Sequence, residues 1–148
     1  MTTYRLMAHM PAGYANVYAL AGTPAHSNGV TGDLSMPAAY QVDTPFGADI
    51  GGVDPAFFAF SAEAEFDSWI TVGMTDGSDP NAMSTSPGLG LDTWTADAAF
   101  STDNGAIFCM NPADGPAAGG DITMAQVTMP TGTAGAASGV VQLSLIHI

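Results

Sequence analysis

One loop carries several of the oxygen ligands that a calcium ion prefers. Carboxylate, hydroxyl and amide oxygens are hard ligands, and four of them stand within six residues of the segment "DGSDPN": Asp76, Ser78, Asp79 and Asn81. The segment starts like an EF-hand loop, but it lacks glycine at the sixth position and has Pro87 where glutamate would stand. The pattern fits either a speculative Ca²⁺ site of another kind or a solvated turn whose acids bond their own backbone.

Acid–base chemistry would have to use His9, or the carboxylate pair Glu63 and Glu65 in "SAEAEFD". Nucleophilic catalysis needs a serine, threonine or cysteine beside a histidine that an acid orients, and glycoside hydrolysis needs two acids about 5–10 Å apart. His9 and His26 are the two credible histidines, and no metal-binding histidine pair, nucleophile elbow or P-loop occurs. We therefore expect no enzyme and no catalytic residue, with a small hydrolase or lyase as the alternative.

Aromatic side chains could form a face that binds glycans, because the apolar face of a sugar stacks on such rings. The rings available are Trp69, Trp94, Tyr14, Tyr18 and Tyr40. The chain has few large aliphatic residues, so burial in the core is the more common use of such rings. Cys109 is the only cysteine and lies in the apolar run "AIFCM", which favours a buried, inert thiol over a nucleophile.

The charge balance excludes several partners. The chain has 148 residues, no lysine, a single arginine and fourteen acids, giving a formal net charge of −13. Such a chain repels nucleic acid and anionic membranes. Salt screens exposed charges beyond about 8–10 Å at physiological strength, so marine, halophilic or extracellular surroundings suit it. No apolar run is long enough to span a membrane, and no signal peptide is visible.

The elements that must position these residues are short strands. Glycine, proline and small polar residues divide the chain, and no window shows convincing helical recurrence of apolar residues. The seven predicted strands are Thr3–Met10, Ala15–Ala21, Ala38–Val42, Asp67–Met74, Ala106–Met110, Ile122–Met129 and Gly139–Leu143. This pattern predicts an all-β fold: an antiparallel β-sandwich, either jelly-roll or immunoglobulin-like.

Local patterns add detail to two parts of the sandwich. In "SWITVGM" strict alternation places Ile70 and Val72 on one face and Trp69 on the other. In the first strand we expect Tyr4, Leu6, Ala8 and Met10 to face the core. One short helical turn is predicted near 55–60, with Asp54 as its cap and Pro55 at its first position, packing the phenylalanines of "DPAFFAF" against a sheet end.

Four segments share one resemblance: "NVYALAG", "IFCMNPADG", "TMAQVTMP" and, most specifically, "FGADIGGVDPAFFAF…FDSWITVGMT". Through them most of the chain resembles an uncharacterised module that recurs in proteins of marine plankton and ocean metagenomes. It implies an extracellular β-rich module within a larger surface or secreted protein. It implies no activity, and therefore no catalytic residues.

The last six residues, "LSLIHI", resemble the translation of a transposon-derived sequencing adapter. This resemblance implies a single module over residues 1–142 and a non-native tail over 143–148, with the natural protein continuing beyond. His147 would then play no part in the chemistry. Leu143–Leu145 would extend the last strand only because apolar residues suit a sheet edge.

Together these observations predict a non-catalytic, extracellular or cell-surface module with a structural, adhesive or ligand-binding role. Its expected partners are Ca²⁺, a glycan, other surface proteins and the rest of the parent polypeptide. Nucleic acid and membrane insertion are not expected. A viral surface or fibre protein is a further alternative, because the same sandwich serves capsids, fibres and adhesins.

Overall fold

The all-β, antiparallel sandwich architecture is confirmed. The computed structural model describes residues 1–24, 30–116 and 119–145, with the backbone alone for residues 144 and 145. These residues form nine strands and four short 3₁₀ turns, and every strand ladder is antiparallel. No helix within the described ranges is long and apolar enough to cross a membrane.

The strands form three sheets. They are β1 Thr2–His9, β2 Tyr14–Gly22, β3 Leu34–Met36, β4 Trp69–Ile70, β5 Met83–Thr85, β6 Phe100–Thr102, β7 Gly105–Cys109, β8 Asp121–Met129 and β9 Val140–Leu145. Their order is β1-β8-β4 in one sheet, β5-β7-β2-β9 in a second and β3-β6 in a third. All three sheets contribute side chains to one hydrophobic core.

The predicted strands agree best with the structure where the strands are long. The strands near residues 3–10, 15–21, 106–110, 122–129 and 139–143 are confirmed with small shifts in their ends. The strand predicted over Ala38–Val42 is wrong, since that segment is irregular, and of Asp67–Met74 only Trp69–Ile70 forms a strand. The three strands missed by the sequence pattern, β3, β5 and β6, have three residues each, too few for alternation to show.

A β-bulge in β8 explains why two adjacent residues of that strand both enter the core. Leu6 of β1 pairs with Ala125, but the next residue, Met7, pairs with Thr123, so Met124 is the extra residue. The bulge reverses the alternation of faces, and both Met124 and Ala125 pack in the main core. After it, Val127 and Met129 continue on the core side, which leaves the polar residues of β8 on the outer side.

A second, thinner layer covers the outer face of the β1-β8-β4 sheet. The predicted helical turn near 55–60 is confirmed as a 3₁₀ turn, Pro55–Ala59, whose N-cap Asp54 accepts a hydrogen bond from the Ala56 amide at 2.9 Å. A further 3₁₀ turn, Ala62–Phe66, follows it. Trp69 lies on the face opposite Ile70 and Val72, as the alternation in "SWITVGM" predicted, and the layer packs against it. The other buried and half-buried members of this second cluster are Val53, Ala64, Phe46, Ala48, Phe57 and Phe58. Phe60 is 79% exposed, so its predicted packing is wrong.

The first strand is more exposed than its alternation predicted. Ala8 and Met10 pack against the core as expected. Tyr4 and Leu6 remain 44% and 38% exposed, because β1 is the outermost strand of its sheet among the described residues. Tyr4 and Leu6 lie on the core side of the sheet, opposite Val127 and Ala125, so the predicted face is right, but their place at the edge leaves both side chains partly exposed.

The last strand continues through Leu145, which pairs with Tyr14. Leu143 packs against the hydrophobic core, as its apolar side chain predicted. His147 lies outside the described residues. The adapter origin of residues 143–148 stays a prediction from the sequence.

Candidate binding groove

A mostly apolar groove of about 610 Å³ lies on the outer face of the β1-β8-β4 sheet. This volume is within the range of small-molecule sites, about 300–1,000 Å³. The groove is lined by Met1, Thr3, Tyr40, Glu63, Phe66 and Thr128. We call it the Tyr40 groove.

Two strands form the floor of the Tyr40 groove. Thr3 of β1 and Thr128 of β8 are directly opposite each other, and their hydroxyl oxygens lie 2.8 Å apart in a hydrogen bond. The Tyr40 amide donates to the Thr128 carbonyl at 2.8 Å, which fixes this wall of the groove to the sheet. The floor is thus made of a regular ladder, which is more rigid than a loop.

The walls meet at one side-chain contact. The Tyr40 hydroxyl donates to Glu63 Oε2 at 3.3 Å. Partial burial, followed by the charge of Glu63, raises the pKa of Tyr40, so the phenol stays protonated and available as a donor at neutral pH. Phe66, on the same 3₁₀ turn as Glu63, is 50% exposed. The groove therefore offers aromatic surface beside a carboxylate and a phenolic hydroxyl.

The buried carboxylate of Asp67 holds both walls in place. Its Oδ1 accepts hydrogen bonds from the Val42 amide at 2.8 Å and the Ser68 amide at 2.9 Å, and its Oδ2 accepts from the Ala48 amide at 2.7 Å. Val42 stands two residues after Tyr40, and Asp67 directly follows the turn that carries Phe66. Asp67 is therefore the junction of the segment 40–48 with the second 3₁₀ turn.

Polar residues of β8 extend this junction into the sheet. Gln126 Nε2 donates to the carbonyls of Asp67 at 2.7 Å and Glu65 at 3.0 Å. The Ser68 hydroxyl oxygen accepts from the Thr128 amide at 2.9 Å. Asp67, Ser68, Gln126 and Thr128 are all buried, and these bonds satisfy polar groups that would otherwise be costly to bury.

The protonation of Asp67 gives the fold a pH dependence of defined sign. Burial raises the pKa of Asp67 from 3.8 to about 6 and outweighs the three amide donors, which lower it. Between these two values the folded chain binds a proton that the unfolded chain has lost, so the free energy of unfolding falls as pH rises. The contribution is fully present below the unfolded value and is lost above about pH 6; its full size is about 3 kcal/mol.

Urea unfolding of the wild type and of Asp67→Asn, each at about pH 5 and pH 7.5, measures this contribution. The other thirteen acids are common to both proteins, so their titration cancels in the comparison. We expect the wild type to gain about 1.4 kcal/mol more than the variant on acidification, as linkage requires. Equal gains in the two proteins would contradict the raised pKa.

The structure places the predicted calcium loop as two consecutive turns. Asp76 Oδ1 accepts from the Ser78 amide at 2.9 Å, and Asp79 Oδ1 accepts from the Asn81 amide at 3.0 Å. These bonds are the local side-chain-to-backbone contacts of Asx turns. Among the described residues, no three His, Cys, Asp or Glu side chains are grouped as a metal site would require. The calcium site stays a prediction.

The candidate catalytic residues do not share a pocket. His9 Nδ1 lies 2.8 Å from Asp121 Oδ1, and both side chains are exposed. His9 is six residues along β1 from Thr3, or about 20 Å at the rise of a strand, so it is far from Glu63 in the Tyr40 groove. Glu65 is exposed and does not line the groove. His26 lies outside the described residues.

The aromatic candidates divide by burial. Trp69 and Trp94 are each 2% exposed and belong to the two cores, and the Trp94 indole donates to the Pro37 carbonyl at 2.7 Å. Tyr14, Tyr18 and Tyr40 are half-buried, and of these Tyr40 lines the groove. Cys109 is buried, as expected, and burial raises the pKa of its thiol.

Sequence reasoning missed five residues of this region: Met1, Thr3, Phe66, Asp67 and Thr128. Phe66 follows the two glutamates of "SAEAEFD", where no apolar pattern marks it, and Asp67 is the first residue of a predicted strand. A usable signal was present in "FDSWI", where an acid stands beside a serine inside an otherwise apolar run. A carboxylate placed there must be buried, and a buried carboxylate needs donors.

Comparison with known proteins finds no relative: no protein-family model, no curated protein and no solved structure matches the chain.

Proposed function

We propose that this chain is a non-catalytic, extracellular or cell-surface β-sandwich module that binds a neutral carbohydrate in the Tyr40 groove. The observation that carries the proposal is the placement of Tyr40, Phe66 and the Glu63 carboxylate around one groove on a rigid sheet. Sugars combine an apolar ring face with a rim of hydroxyl groups. The two aromatic rings suit the face, and the carboxylate and hydroxyls suit the rim.

The polar groups of the groove match hydroxyl chemistry in both directions. The Glu63 carboxylate accepts hydrogen bonds, and the exposed Thr3 hydroxyl, which is bonded to the buried Thr128 hydroxyl, can both donate and accept. Charge-assisted bonds to a carboxylate are stronger than neutral ones, which supports Glu63 as the anchor for a sugar hydroxyl. Such a small number of polar groups in an apolar groove is typical of sites that orient a ligand.

The charge of the protein narrows the ligand class. A net charge of −13 and a carboxylate in the groove disfavour phosphates, sulfated glycans and nucleic acid. A neutral glycan has no such penalty. Acidity without lysine also supports the proposed extracellular setting, where salt screens the repulsion between acidic surfaces.

A panel of neutral oligosaccharides, followed by calorimetry on the best one, tests the proposal. We expect Phe66→Ala to weaken binding about tenfold, since it removes a stacking surface, and tenfold corresponds to about 1.4 kcal/mol. Glu63→Gln keeps the shape of the side chain but removes its charge, and we expect a comparable loss. The side chain of Phe66 is half exposed and Glu63 is exposed, so both variants should fold.

Phe60→Ala is the matched control. Phe60 is 79% exposed, lies in the same layer and does not line the groove, so its removal should leave the affinity unchanged. If no oligosaccharide in the panel bound, the carbohydrate proposal would be contradicted, and a structural or adhesive role would be left. Binding that Phe66→Ala and Phe60→Ala weaken equally would place the ligand elsewhere.

A further inference from the structure

The single arginine of the chain lies beside the Tyr40 groove. Thr3 and Arg5 are two residues apart on β1, so both side chains lie on the outer face of the sheet, with Cα atoms about 7 Å apart. Thr3 lines the groove, and Arg5 does not. Arg5 therefore occupies the next outward position along the strand, just outside the groove.

The side chain of Arg5 lies across β8. Gln126 of β8 pairs with Arg5 on one side and with Trp69 on the other. The guanidinium carbon is 4.8 Å from the centroid of the Trp69 ring, so the side chain crosses the outer side of β8 at Gln126. The Gln126 amide bonds the two carbonyls on either side of Phe66 along the chain. This arrangement brings the guanidinium to the side of the groove that Phe66 forms.

The N–H groups of Arg5 have no acceptor among the described residues. The chain has fourteen acids, yet the one ion pair within the described ranges joins His9 to Asp121. Arg5 stacks on Trp69 instead, and this contact leaves its N–H donors unused. The guanidinium is planar and presents parallel donors in a rigid arrangement. Because stacking already orders the side chain, little conformational freedom is lost when a ligand binds it.

We infer, on the basis of the proposed carbohydrate function, that the ligand is a linear oligosaccharide that continues from the Tyr40 groove over Arg5. One end of the oligosaccharide occupies the groove, and Arg5 donates hydrogen bonds to hydroxyl oxygens of a sugar unit outside it. Neighbouring hydroxyls of a sugar ring offer acceptors to two parallel N–H groups. Hydrogen bonds from a charged donor are stronger than neutral ones, so this contact adds to the affinity.

A neutral hydroxyl suits this position better than a carboxylate. The net charge of the chain is −13 and Glu63 lines the adjoining groove, so the surface around the one guanidinium repels a ligand with several carboxylates. Hydroxyl groups accept from the same N–H donors without that repulsion. Arg5 therefore supplies directed donors for a neutral chain of sugars.

The outward positions of β1 beyond Arg5 are already bonded to β8. The Met7 sulfur accepts from the Thr123 hydroxyl at 3.4 Å, and His9 Nδ1 lies 2.8 Å from Asp121 Oδ1. These side chains satisfy each other across the strand pair. We therefore expect the contacts with the oligosaccharide to end near Arg5.

Calorimetry with disaccharides and tetrasaccharides tests this contact. The probes are linear, neutral oligomers of glucose, mannose, galactose and xylose. In the series that binds best, we expect the tetrasaccharide to bind about tenfold more tightly than the disaccharide. Arg5→Met should remove this gain and leave the disaccharide unchanged, because methionine packs on Trp69 but has no N–H donor. Arg5→Lys keeps the charge without the parallel donors, so it should restore part of the gain.

His9→Gln is the matched control. His9 is exposed on the same face, four residues and about 13 Å from Arg5, so this variant should leave both affinities unchanged. Arg5 is itself exposed, and an unchanged affinity for the disaccharide shows directly that Arg5→Met is folded.

The outcomes separate this contact from the proposed function. Equal affinities for the disaccharide and the tetrasaccharide, or equal weakening of both by Arg5→Met, would overturn the contact and leave the groove as a carbohydrate site. If no oligosaccharide bound the wild type, the proposed function would fail, and the contact with it. Tighter binding of the galacturonic acid tetramer than of the galactose tetramer would contradict a neutral ligand.

Discussion

Asp67→Ala is expected to lower the free energy of unfolding by about 4 kcal/mol at neutral pH. The substitution leaves the buried amide of Ser68 and the partly buried amides of Val42 and Ala48 without their acceptor, and a buried donor without a partner costs about 1–3 kcal/mol. Part of this loss is offset because a costly buried carboxylate is also removed. Domains of this kind are stable by about 5–15 kcal/mol, so the effect would be a large fraction of the total.

Urea unfolding followed by tryptophan fluorescence measures this loss, since Trp69 lies two residues from the substitution. Asp79→Ala is the matched control. Asp79 is an exposed acid whose side chain accepts one amide hydrogen bond, and we expect a loss of less than about 1 kcal/mol there. If the two variants were equally stable, Asp67 would not be the junction that the hydrogen bonds indicate.

Asp67→Asn should lie between these two variants. The asparagine side chain keeps the volume of aspartate and one acceptor oxygen. Its NH₂ group, however, would face a backbone N–H that donates a hydrogen bond to the carboxylate in the wild type. Asp67 joins the segment that carries Tyr40 to the turn that carries Phe66 but does not line the groove. Asp67→Asn should therefore weaken ligand binding by displacing the groove walls. Asp67 is thus a positioning residue for the groove.

Gly47→Ala is expected to destabilise the fold by about 2–3 kcal/mol through the same junction, in the range of overpacked sites. A Cβ at position 47 would overlap the Val42 carbonyl group and come within 3.0 Å of Asp67 Oδ2. These neighbours are backbone atoms and a hydrogen-bonded carboxylate, so they cannot move aside without breaking the bonds to Asp67. Only glycine allows the chain to close around the carboxylate at this point.

Thermal unfolding of Gly47→Ala and Gly120→Ala provides the comparison. An added Cβ at Gly120 meets no atom within 4 Å, so that variant should be neutral or slightly stabilised. The double variant Gly47→Ala with Asp67→Ala should lose less than the sum of the single losses, because both act on one set of contacts. Full additivity would show that Gly47 acts independently of the Asp67 junction.

Much of the fold could be predicted because its signals are local. The alternation in "SWITVGM" correctly separated Ile70 and Val72 from Trp69, and "DPAFFAF" correctly placed a capped helical turn. The failures are equally physical. Three-residue strands such as Leu34–Met36 are held by their partners and not by their own pattern, and β1 follows its alternation while Tyr4 and Leu6 stay exposed at the sheet edge.

The candidate site was less accessible to sequence reasoning. The sequence indicates Tyr40 as a candidate aromatic ring and Glu63 as one member of an acid pair, but it gives no sign that the two side chains meet. They are 23 residues apart and meet only because the covering layer folds back over β1 and β8. Conversely, the acids of "DGSDPN" are close in sequence, and their side chains bond the backbone of their own turns.

The sequence by itself determined the all-β class, the long strands, the capped turn and the acidity that disfavours anionic ligands. These properties follow from periodicity, turn chemistry and composition, which act over a few residues or over the whole chain. Only the tertiary structure decided that Asp67 is buried among three amides and that a groove opens between Tyr40 and Phe66. Each of these depends on contacts between residues distant in the chain, and such contacts leave no period in the sequence.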